Sequence, residues 1–304
     1  MKTHFSLFTL NFSLLAAALF AACGSGEKQP APHYIAVNTA QELYDWFRWS
    51  SDRDVVISGH RGGMSAGYPE NCIESFEKTL TDMESFFEID PRFTKDSVIV
   101  LMHDATLDRT TTGHGRLSDY TLAELEQFAL VDRDGNPTPY KIPTLEDVVE
   151  WSRGKTILNL DIKDVPLDVM SDFITGLDPA PQNIMYTVHN PGHVGAILAR
   201  NPVAMFSAHC QTMEKFTAYD EAGIPWGQVM AYVGPRMLPE NAALCDSLHS
   251  RGVMCMISVA PTHDKAPADA EKIAGYRSEI ATAPDVIETD YPYLFVTLDL
   301  SKRK

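Results

Sequence analysis

The chain has 304 residues, of which 44% are hydrophobic and 22% charged, with a formal net charge of −16. This composition supports a full buried core and excludes fibrous and disordered classes. The acidic balance excludes a nucleic-acid backbone as partner, because phosphate binding needs a basic surface, and it equally excludes electrostatic docking on anionic lipid.

In chain order, residues 1–22 hold one basic residue, Lys2, and an apolar run from Phe5 to Ala22, which reads as an export signal and not as a spanning helix. Leu19-Phe20-Ala21-Ala22-Cys23 resembles the lipobox of bacterial lipoproteins, with Phe20 departing from the usual leucine. The resemblance implies acylation of Cys23 and a tether over residues 23–40. It also implies a periplasmic or cell-surface bacterial lipoprotein whose membrane contact is the N-terminal anchor alone; plain secretion is the alternative. Cys72, Cys210, Cys245 and Cys255 remain, an even number that allows up to two disulfides in an oxidising compartment or buried free thiols, with no pair at metal-ligand spacing.

Residues 41–304 are expected to form a single domain. Gln41–Ser50 has a helical pattern with Leu43 and Phe47 on its apolar face. Short apolar strands follow near 55–59, 86–90, 98–102, 156–160, 184–188, 203–207, 228–232, 253–259 and 286–289. Helical segments alternate with them near 71–83, 192–200, 211–222, 240–251 and 267–280, and Thr144 with Asp147 marks a further helix start. About eight β/α units in about 250 residues predict a (β/α)8 TIM-type barrel. Residues 105–142 lack strand periodicity and read as an insertion after the third strand-like segment. The oligomeric state is not legible.

Active sites in such barrels are built from the loops that follow the strands. At those positions stand His60 and Arg61, then Glu70 and Asn71, then Glu88 and Asp90, His103, and finally Asp161 and Lys163. Glu88 and Asp90, two residues apart, share one strand face. Three converging carboxylates, Glu88, Asp90 and Asp161, repel one another unless a cation neutralises them, and an oxygen-only set favours one calcium or magnesium ion. His60 and His103 suit acid–base cleavage of a phosphodiester, with Arg61 and Lys163 holding phosphate oxygens. Glu70 and Asn71 are candidates to support these groups from behind, the competing role being a helix start. His33, His114, His189, His193, His209, His249 and His263 read as packing or surface residues. Tyr68, Trp226, Tyr232 and Tyr291 offer aromatic faces for a choline- or sugar-sized group.

The ordered motifs His60-Arg61-Gly62, Pro69-Glu70-Asn71, Glu88-Ile89-Asp90, His103-Asp104, Arg109-Thr110-Thr111, Pro143-Thr144-Leu145-Glu146, Asp161-Ile162-Lys163 and Thr289-Asp290-Tyr291-Pro292 resemble the glycerophosphodiester phosphodiesterase family over about residues 55–295. The resemblance implies hydrolysis of a small-molecule glycerophosphodiester to glycerol 3-phosphate and an alcohol. It assigns catalysis to His60 and His103, metal binding to Glu88, Asp90 and Asp161, and phosphate contact to Arg61 and Lys163. Asp161 stands where the family usually carries glutamate, and the run from Val253 to Ser258 lacks the family's Trp-Thr-Val-Asn pattern. Asp-x-Lys is also similar to sphingomyelinase D-type barrels, which form a cyclic phosphate; the Arg-Thr-Thr and Pro-Thr-Leu-Glu segments favour the hydrolase. A non-catalytic lipoprotein that binds a phosphate ligand is the third reading.

Overall fold

A computed structural model describes residues 32–301. The expected signal segment, Cys23 and the first part of the tether lie outside the described residues.

Among the described residues ten strands form: β1 (Val56–His60), β2 (Phe86–Ile89), β3 (Pro91–Phe93), β4 (Ile99–Leu101), β5 (Leu158–Leu160), β6 (Ile184–Val188), β7 (Met205–His209), β8 (Val229–Gly234), β9 (Cys255–Ser258) and β10 (Val286–Thr289). Eight close a parallel barrel in the order β1-β10-β9-β8-β7-β6-β5-β2. The helices are α1 (Ala40–Trp46), α2 (Ile73–Asp82), α3 (Leu122–Leu125), α4 (Leu145–Ser152), α5 (Leu167–Gly176), α6 (Pro191–Leu198), α7 (Met213–Glu221), α8 (Ala242–His249) and α9 (Asp269–Ile280). Thr144 caps α4 by accepting from the Asp147 N–H, as its sequence predicts. Among the described residues no helix is long and apolar enough to cross a membrane.

The third strand-like segment is a strand, but not of the barrel. β4 pairs antiparallel with β3, so the chain leaves the barrel after β2 and re-enters at β5, a longer excursion than 105–142. Val100 and Met102 pack with Leu107, Leu117, Leu125, Leu130 and Ile142 in a small separate core. Burial of that kind makes the segment as apolar as a barrel strand, and its composition cannot tell the two apart.

Inward positions recur every second residue and change character along the bore. The first inward layer is apolar, with Val56, Phe86, Ile157, Met185, Met205, Met230 and Val286 in one cluster that Leu43 of α1 and Phe47 just after it plug from below. Two and four residues further along these strands stand Ser58 and His60, Glu88 and Asp90, Asn159 and Asp161, Thr187 and His189, Ser207 and His209, and Glu288 and Asp290. The strand period therefore delivers the polar groups to the C-terminal mouth, where barrel sites form.

Gly62 makes the turn that frees the rim from β1. Its φ is +91°, and a Cβ there would lie 2.2 Å from two ring carbons of fully buried Phe76. Gly62→Ala is expected to destabilise the fold by about 2 kcal/mol. Chemical denaturation checks this, and a change below about 0.5 kcal/mol would contradict it.

Candidate active site

The loop after β1 carries Arg61 at φ 53°, then Gly62 and Gly63 near +90°, and Asn71 follows at φ 55°. Asparagine tolerates this left-handed geometry better than most residues. Its backbone N–H donates to the Arg61 carbonyl at 2.8 Å. Its side chain clamps Asp90 from both sides: Nδ2 donates to Asp90 Oδ2 at 2.6 Å, while Oδ1 accepts the Asp90 N–H at 3.1 Å. Asn71 therefore supports an acid of the rim, in addition to preceding α2.

Donor oxygens of Glu88, Asp90 and Asp161 lie within 4.8 Å of one another. Burial, then the Asp90 charge, pushes Glu88 well above the usual carboxylate range, with the His60 charge opposing. Burial also opposes ionisation of Asp90, but the Lys163 and Arg61 charges and the Asn71 hydrogen bond hold it below its ordinary value. Lys163 Nζ sits 2.6 Å from Asp161 Oδ2 and 3.0 Å from Asp90 Oδ1, an oxygen that receives no well-aligned hydrogen bond. A frustrated Glu88, an incompletely satisfied Asp90 and an all-oxygen donor set fit a hard divalent cation.

His60 ends β1 with Nδ1 2.6 Å from Asp290 Oδ1 and Nε2 3.8 Å from Glu88 Oε2. Burial disfavours its charge, yet the Asp290 hydrogen bond and the Glu88 charge outweigh this and raise it to about 10. Asp290 is positioned in turn by Asp264, whose Oδ2 accepts the Asp290 N–H at 2.6 Å. His103 follows β4, so it stands on the excursion and not on a barrel strand. Its Nδ1 lies 2.7 Å from Asp104 Oδ1, and Arg92 holds the loop by donating to the His103 carbonyl through Nε at 2.9 Å and Nη2 at 2.7 Å.

Glu70 joins the two halves. It accepts two bonds from Arg109 at 2.8 Å each and a forked pair from Arg61 Nη1 at 3.1 and 3.3 Å, and Arg109 also grips Asp104 at 2.7 and 2.9 Å. A continuous chain of charge-assisted bonds thus runs from His103 through Asp104, Arg109 and Glu70 to Arg61. Arg61 and Lys163, the two cations predicted to hold phosphate, are both bound to carboxylates here.

Two cavities meet at His60. One, of about 680 Å³, is lined by His60, Arg61, His103, Arg109, Lys265 and Tyr291 among others. The other, of about 210 Å³ in the bore, is lined by His60, Glu88, Asp161, His189, His209 and Glu288 among others. Glu288, Asp290, Arg92, Arg109 and Asp264 carry no role in the sequence alone, where His189 and His209 read as packing or surface residues. The inward period would have flagged Glu288 and Asp290, because each occupies the same alternating face as His60 and Glu88 on their own strands. Burial and the charge of His189 lower His209 to about 4, so it is a neutral group of the bore. Tyr232 and Tyr291 do line the cavities, whereas Trp226 precedes β8 at its far end and stacks on Phe216.

The model of the Glycerophosphoryl diester phosphodiesterase family matches residues 60–168. A glycerophosphodiester phosphodiesterase from Caldanaerobacter subterraneus is 36% identical over 110 residues, 36% of this chain and 45% of that protein. Human glycerophosphodiester phosphodiesterase 1 is 35% identical over 143 residues, 46% of this chain and 40% of that protein. The chain therefore spans about half the length of the curated relatives it matches. The crystal structure of a glycerophosphoryl diester phosphodiesterase from Parabacteroides distasonis is 45% identical with a TM-score of 0.84, covering 90% of this chain and 98% of that one. Identity at that level across nearly a whole solved barrel, with the family's match falling on the rim residues themselves, makes this chain a member of the glycerophosphoryl diester phosphodiesterase family.

Proposed function

We propose that the protein is a divalent-cation-dependent phosphodiesterase that hydrolyses small glycerophosphodiesters to glycerol 3-phosphate and an alcohol. The observation that carries this reading is the junction at His60: a histidine anchored on Asp290 stands between a three-carboxylate cluster and a cleft that also holds a second carboxylate-anchored histidine, His103.

Glu88, Asp90 and Asp161 would hold the cation, calcium or magnesium, which when bound supplies positive charge to the phosphoryl oxygens. Arg61 adds charge at the same rim, held by Glu70, and Lys163 does so from between Asp90 and Asp161. Each histidine has one ring nitrogen committed to a carboxylate, which orients the ring and leaves the other nitrogen for proton transfer. One takes the proton of the attacking hydroxyl, whether the substrate's own vicinal group or water, as its oxygen bonds to phosphorus. The other gives a proton to the alcohol oxygen as its bond to phosphorus breaks; where the vicinal hydroxyl attacks, water then bonds to phosphorus of the cyclic phosphate and one ring oxygen leaves with a proton, giving glycerol 3-phosphate. The reading extends to an exported protein held at a membrane by acylated Cys23, with residues 41–304 as its single catalytic domain; the support is the apolar run and lipobox-like segment of residues 5–23.

Chelation tests the cation. Dialysis against a chelator is expected to abolish release of glycerol 3-phosphate from glycerophosphodiesters, and calcium or magnesium to restore it. Glu88→Gln should weaken that restoration. Full activity in the chelated protein would contradict this reading.

A further inference from the structure

A second cluster of donor groups lies at the other end of the barrel, remote from the rim. Cys245 and His249 are four residues apart on α8 and share one helix face. Cys255 opens β9, and Asp285 immediately precedes β10. His249 Nε2 is 2.8 Å from Asp285 Oδ2, which also accepts the Cys255 N–H at 2.7 Å. One donor atom each of His249, Cys255 and Asp285 falls within 4.8 Å of the others, and the buried Cys245 thiol lies beside that of Cys255. Cys245, Cys255 and Asp285 are 4%, 0% and 1% exposed. The His249 ring keeps one solvent-facing edge and stacks on Trp49 at 4.3 Å.

This donor set differs in kind from the rim. A thiol, an imidazole and a carboxylate form the borderline-soft combination that selects zinc-class ions over calcium or magnesium. Three protein ligands leave the fourth tetrahedral position open. The Asp285 carboxylate, bonded to both His249 and the Cys255 N–H, holds the three donors together.

We propose that His249, Cys255 and Asp285 bind one zinc-class ion. Binding releases the Cys255 thiol proton to solvent and clamps α8 to the starts of β9 and β10, the end of a barrel whose residues serve stability and not catalysis. The site is hidden along the chain, because the ligands come from a helix, a strand and a loop, 36 residues apart at the extremes.

The test is cobalt titration of the reduced full chain, followed by zinc displacement. The expected result is one equivalent of cobalt giving the thiolate-to-cobalt charge-transfer band, which an oxygen-only site cannot produce. Glu88→Gln should keep this band. Cys255→Ser and His249→Gln should lose it or bind at least about tenfold more weakly, with His249→Gln retaining phosphodiesterase turnover. His249 is partly exposed, so its variant keeps the test available if Cys255→Ser misfolds. No thiolate band from the reduced wild type would overturn the proposal. So would purified protein lighter by two hydrogens, with Cys245 and Cys255 joined in a disulfide that reforms in preference to metal binding.

Discussion

Alanine at His60 is expected to lower phosphodiester turnover by about 10²- to 10⁴-fold, the range for loss of a positioned acid or base. The size follows from its place. The ring is fixed through Nδ1 on Asp290, its Nε2 faces Glu88, and it lines both cavities. Little else on the rim can take over its proton. His103→Ala should fall in the same range. The double variant should lose less than the product of the two, because both groups serve one displacement. Steady-state kinetics on variants shown to be folded by circular dichroism checks this; a loss under about tenfold at His60 would remove it from the chemistry.

Asp290→Asn is expected to cost about 100-fold in turnover by releasing the orientation and basicity of His60, and its pH signature is specific. In the cation-free protein the Asp290 and Glu88 charges raise His60 to about 10. Without Asp290, burial pulls the ring back toward or below its ordinary value, a shift that ring-proton NMR reads directly. The stability sign follows from the same change. A histidine raised in the folded state contributes stability that is complete below about pH 6.5 and is lost as pH rises through about 10. Asp290→Asn should therefore destabilise by about 2 kcal/mol near pH 6, with the difference shrinking toward pH 10. A deficit independent of pH would indicate a packing role for Asp290 and nothing more.

The parts of this molecule that were legible in the sequence are those that local rules dictate. Strand runs such as 184–188 and 286–289, and the Thr144 cap, are set by neighbours within a few residues. The pairing of Glu88 with Asp90 on one face needs only the strand period. What escaped depends on distant partners. Asp290 acquires its role from His60, 230 residues away, and Arg109 from Glu70, 39 residues away. β4 escaped for a different reason: the small core of the excursion buries it as thoroughly as the barrel buries its own strands. His189 and His209 carry no signal as lone histidines until barrel closure brings them to one cavity with Asp161 and Glu288.

The measurement closest to the central claim is a phosphorus NMR time course of a glycerophosphodiester with the cation-loaded protein, beside His60→Ala. Conversion to glycerol 3-phosphate is expected from the wild type, with conversion at least about 100-fold slower from the variant. A cyclic phosphate that accumulates as the end product, or a substrate signal that never changes, would contradict it.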